Sequence, residues 1–124
     1  MTVERGSVYW VELGEEDDEN DEERTGHEQA GNRPGIVMQN NDDNRALGTT
    51  IVVPTTCGSV DDASHLNTIF ISSADECFPK DSVALCAQVR TIDVADRLGD
   101  KIGELSRSKL REIEGGLQTS LELF

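Results

Sequence analysis

Lysine is scarce in this chain, and no long apolar run is present. Only Lys80, Lys101 and Lys109 stand beside eight arginines, against 25 acidic residues, for a formal charge of -14. So few cations argue against a nonspecific nucleic-acid coat, because such binding rests on neutralising many phosphates. One positively lined groove can still hold a few nucleotides on an acidic protein. The cysteines, Cys57, Cys77 and Cys86, are odd in number and lack CxxC spacing. They suggest neither a disulfide framework nor a zinc site, and read as reduced, partly buried residues. No apolar run approaches the roughly 20 residues of a membrane span, and the first five residues lead into a strand pattern without a signal-peptide core. A soluble, cytoplasmic protein with no membrane attachment is expected.

The 124 residues, 35% of them hydrophobic, suit one domain spanning 1–124 with a modest core. Much of the acidity is local. Glu15, Glu16, Asp17, Asp18, Glu19, Asp21, Glu22 and Glu23 fall within nine positions, so residues 15–25 are expected to form a mobile acidic loop. Its role stays open between a solubilising loop and a segment that occupies a basic groove when substrate is absent.

Residues 7–13 are rich in β-branched and aromatic types and read as a first strand. Residues 36–39 resume strand character after the loop, and 40–44 form a turn cluster or short irregular helix. Residues 49–53 read as a central strand that Pro54 stops. Residues 55–66 read as loop and 67–72 as a fourth strand; 81–86 and 88–92 supply one bent strand or two short ones. Five or six strands at this spacing imply a mainly β fold, a small barrel or strongly curled sheet. Toward the end the period changes. Leu110, Ile113, Leu117, Leu121 and Phe124 recur every three or four residues, which predicts a C-terminal α-helix capped by Ser106 or Ser108 with its apolar stripe in the core.

The chemistry concentrates in residues 26–35, GHEQAGNRPG. Pro34 fixes its own φ and pushes Arg33 toward an extended conformation, while Gly31 lets backbone approach a ligand closely. Arg33 is thus aimed, and its guanidinium fork suits a phosphate or carboxylate. Glu28 and Gln29 lie in the same loop.

Four segments in order, RGSVYWV at 5–11, GHEQAGNRP at 26–34, IVVPTT at 51–56 and DSV through QVRTID at 81–93, resemble the MazF/PemK toxins of toxin–antitoxin systems. The resemblance runs from about residue 4 to residue 123. It implies an SH3-like barrel with a C-terminal helix, a homodimer and a MazE-like antitoxin as partner. It also implies an endoribonuclease, or mRNA interferase, that cuts single-stranded RNA sequence-selectively without a metal or other cofactor. In such a reaction the ribose 2′-OH attacks its own 3′ phosphate, leaving 2′,3′-cyclic phosphate and 5′-OH ends.

Carried over by position, the resemblance makes Arg33 the catalytic arginine, Thr56 the catalytic threonine and Glu28 a loop acid implicated in some members. It makes Gln88 a residue of the RNA channel. A fixed guanidinium and a hydroxyl donor both stabilise charge building on phosphoryl oxygens. Arginine is a poor general base at neutral pH, so Glu28 is the better base candidate; His27 is a further loop group able to move a proton. Gln29, Asn32, Asn40, Asn44, Arg45 and Arg90 are candidate RNA contacts, with Arg90 also placed to pair with Asp93. Two rivals remain open: a non-enzymatic CcdB-like gyrase poison on the same barrel and a degenerate antitoxin-binding module. The first acts through a Trp-Gly-Ile ending, whereas this chain ends Glu122-Leu123-Phe124.

Overall fold

A computed structural model describes residues 2–14 and 31–123. The expected acidic loop 15–25, and with it His27, Glu28 and Gln29, lies outside the described residues. Seven strands form one curled sheet with a C-terminal helix: β1 (Ser7–Glu12), β2 (Asn32–Val37), β3 (Thr49–Cys57), β4 (Thr68–Ile71), β5 (Ser82–Leu85), β6 (Arg90–Asp93) and β7 (Leu98–Glu104). Short helices α1 (Asn41–Ala46) and α2 (Val94–Arg97) join strands, and α3 (Arg107–Leu121) follows β7. The strand order is β4-β5-β3-β2-β1-β7, with β6 also on β3. The sheet is therefore barrel-like without closing through those two end strands. No helix among the described residues is long and apolar enough to cross a membrane.

Period-2 alternation divides the apolar residues between two cores. Val8, Ile36 and Val53 face a cluster with Ile71, Phe78, Cys86 and Ile113. Their neighbours Tyr9, Val11, Val37 and Val52 face a second cluster with Val3, Leu13 and Ile92. Both faces of the central β1-β2-β3 unit are thus buried, which fixes its register, since a one-residue slip would exchange every side chain between faces.

Three expectations need correction. Pro54 does not stop its strand, because it pairs with Gly35 inside β3. On the other side of β3, pairing with β6 ends at Val52 and pairing with β5 begins at Thr55; the missing proline N–H falls in that changeover, where no neighbour needs it. The count of five or six strands omitted β7, whose charged and glycine-bearing sequence hides a strand held by β1. Gln88 lies on a 3-10 turn, Cys86–Gln88, that separates β5 from β6, so it is not a strand residue.

Ser106 caps α3, its hydroxyl accepting from the Lys109 N–H at 3.2 Å. The predicted stripe is only half core: Ile113 is fully buried, whereas Leu121 is 53% exposed. Of the two adjacent glycines, Gly116 has a packing reason. A Cβ there would lie 2.6 Å from the Cys86 sulfur, while one at Gly115 would meet nothing within 4 Å. Burial pushes the Cys86 thiol up to about 11.

Candidate active site

The hairpin of β1 and β2 sets Trp10 opposite Pro34 and Val11 opposite Arg33. Its ladder continues past the strand ends, where the Gly31 N–H donates to the Gly14 carbonyl at 2.6 Å and the Leu13 N–H to the Gly31 carbonyl at 3.0 Å. Gly31 holds φ +76° there, a value that favours glycine. Its role in the described structure is therefore to close the hairpin base. Gly35 serves close packing instead, since a Cβ at that position would lie 2.7 Å from a Val11 methyl.

From β2 the register passes to β3. Ile36 faces Val53 and Gly35 faces Pro54; continuing by two residues brings Arg33 opposite Thr56. Directly opposed residues project on one face with Cβ atoms about 5 Å apart. Arg33 and Thr56 do line one cavity, of about 270 Å³. Thr55 also borders that cavity but is fully buried; its hydroxyl donates to the Pro34 carbonyl at 2.7 Å. The two threonines thus divide their work, one fastening β3 to the arginine corner and the other presenting a hydroxyl.

The same cavity is lined by Asn32, also named from sequence, and by Trp10, Cys57, Pro79, Lys80 and Ser82, which were not. Trp10 is 38% exposed and falls within the register shift between Tyr9 and Val11 of the β1-β7 ladder, an irregularity of the kind that re-aims side chains beside sites. Lys80 carried a sequence signal, as one of three lysines placed just before a strand. Among the described residues the lining holds two cations, Arg33 and Lys80, and no carboxylate.

The remaining candidates stand elsewhere. Gln88 lines a separate cavity with His65, Asn67, Leu85 and Thr119. Asn40 caps α1, accepting from the Asp43 N–H at 2.8 Å. Asn44 is a joint between α1 and β3: its carbonyl oxygen accepts from Gln39 at 3.0 Å and from the Thr50 hydroxyl at 2.7 Å, and its amide donates to the Gln39 carbonyl at 2.9 Å. Arg45 pairs with Asp42 at 2.6 Å on the surface. Arg90 opens β6 opposite Val52. The expected Arg90–Asp93 pair is not formed; Asp93 instead accepts from the Asp96 N–H at 2.9 Å as the cap of α2. Among the described residues, no three His, Cys, Asp or Glu side chains gather where they could hold a metal ion.

Residues 4–121 match the family model of the PemK-like, MazF-like toxin of type II toxin–antitoxin systems. The chain is 37% identical to endoribonuclease EndoA of Bacillus subtilis (strain 168) over 124 residues, all of this chain and 98% of that one. Its fold is shared by a mycobacterial endoribonuclease solved in complex with its cognate antitoxin (TM-score 0.74, 23% identity, covering 98% of this chain and 97% of that one). It is shared equally by MazF of Deinococcus radiodurans (TM-score 0.73, 21% identity, 98% of both chains). The chain belongs to the PemK-like, MazF-like toxins of type II toxin–antitoxin systems.

Proposed function

We propose that this toxin is a sequence-selective endoribonuclease that cuts single-stranded RNA in the cytoplasm. It works as a homodimer and is neutralised by a MazE-like antitoxin. The observation that carries the reading is the seating of Arg33 and Thr56 in one cavity whose described lining holds cations and no carboxylate. That environment suits a phosphodiester. It also suits a reaction in which the substrate supplies the nucleophile, so that the protein's task is to place the phosphate and stabilise it.

In this reading the 2′-oxygen attacks the adjacent phosphorus, the bond from phosphorus to the 5′-oxygen breaks, and negative charge gathers on the non-bridging oxygens. Arg33 and the Thr56 hydroxyl donate to those oxygens, from positions set before substrate arrives by the strand pairing and the Thr55 bond. Glu28 takes the 2′-OH proton, and the departing 5′-oxygen takes one from solvent water, leaving a 2′,3′-cyclic phosphate and a 5′-OH. No step requires a metal.

The test is to incubate mixed-sequence RNA with the purified toxin in excess chelator and to determine the chemistry of the new ends. Cyclic phosphate and 5′-OH termini at a recurring short motif are expected. A 5′-phosphate product, or activity that chelator abolishes, overturns the mechanism; intact RNA returns the gyrase-poison and degenerate-module readings.

A further inference from the structure

The geometry points to Lys80 as a second phosphate-binding residue, one that positions RNA at the rim of the Arg33–Thr56 cavity. This rests on the ribonuclease reading and extends it. Lys80 lines the cavity from the segment just ahead of β5, on the wall opposite β2 across β3. In a chain of charge -14, cations are readily consumed by local acids: Lys101 pairs with Glu104, Lys109 with Glu112, Arg5 with Glu114 and Arg45 with Asp42. The Lys80 side chain has no hydrogen-bond or ion-pair partner among the described residues.

The acid beside it is occupied. Asp81 accepts from the Ser73 N–H at 2.8 Å and the Ser73 hydroxyl at 2.9 Å, bonds that hold its carboxyl below the usual range. The Lys80 backbone is fixed as well. Pro79 fixes its own φ just ahead of it, and the Ser82 hydroxyl donates to the Lys80 carbonyl at 2.8 Å. The segment thus holds the base of a flexible cationic stem in place and leaves its ammonium to a ligand.

That ligand is an anion on a chain too long for the cavity. A volume of about 270 Å³ falls just under the roughly 300–1,000 Å³ of ordinary small-molecule sites, so an RNA strand must continue over the rim. A lysine, a compact point charge on a mobile stem, suits a backbone phosphate there, next to the one that Arg33 and Thr56 hold. It adds affinity without reading base identity.

The test compares the parent with Lys80→Gln, Lys80→Arg and, as a control away from the site, Lys101→Gln. Cleavage is followed on mixed-sequence RNA. Binding is followed on a randomised 12-nucleotide 2′-O-methyl RNA, which cannot react, through the fluorescence of Trp10, the single tryptophan and a cavity residue. Lys80→Gln is expected to weaken binding and raise KM about tenfold, as for loss of a charge-assisted contact, with kcat within about twofold. Its slope of log affinity against log salt should fall by about 0.7, one phosphate's share. Lys80→Arg should restore both values and Lys101→Gln should match the parent. Unchanged affinity and salt slope in Lys80→Gln overturn the proposal while the parent still cleaves. If the parent binds but does not cleave, and Lys80→Gln binds more weakly, Lys80 stands and the ribonuclease reading falls. A parent that binds no RNA overturns both.

Discussion

The Thr55 hydroxyl donates to the Pro34 carbonyl across 2.7 Å, tying the strand that carries Thr56 to the corner that carries Arg33. The bond is buried on the Thr55 side, so it holds without competition from water. The two adjacent threonines should therefore separate cleanly in experiment. Thr55→Val leaves the Pro34 carbonyl unpaired and should cost about 1–3 kcal/mol, read from the denaturant midpoint. Thr56→Val should leave stability within about 0.5 kcal/mol and lower kcat by about 10²–10³, the loss expected for one donor to a developing oxyanion.

The paired glycines of α3 give opposite outcomes. Gly116→Ala drives a methyl toward the Cys86 sulfur, 2.6 Å from the ideal Cβ position, and should destabilise by about 1–3 kcal/mol through overpacking. Gly115→Ala meets nothing within 4 Å and should stabilise by up to about 1 kcal/mol through helix propensity. Thermal melts of the two variants read both signs.

Cys86 sets a limit on alkaline stability. Its folded thiol titrates at about 11 because it is buried, against 9.0 for an exposed thiol. The folded state therefore keeps its proton longer than the unfolded state does. Its contribution is complete below about pH 9, falls as pH rises from 9 to 11, and is lost above that. Denaturant midpoints measured from pH 8 to 11 should decline in the parent and decline less in Cys86→Ala, whose starting stability is lower because of the cavity.

Much of this was legible before the fold was known. The hydrophobic alternation of β1 to β3, the C-terminal period and the Arg33-Pro34 corner all follow from local rules. What escaped was set by partners distant in sequence. β7 is a strand because β1 holds it, and its own residues do not announce it. Pro54 continues β3 because two neighbouring strands change places beside it. Asn40 and Asn44, candidate RNA contacts by residue type, carry a further and local duty in capping and bracing α1. Trp10 and Lys80 were missed for the converse reason, since their shared cavity with Arg33 exists only after β1, β2, β3 and the lead into β5 have met.

The measurement that most directly tests the central claim is the single-turnover cleavage rate of Arg33→Ala against the parent, on one RNA bearing the parent's cleavage motif and in excess chelator. Arg33 and Thr56 line one cavity, and removing the guanidinium should lower the rate by about 10²–10³ while the melting temperature holds. A variant that cleaves as fast as the parent would contradict the account.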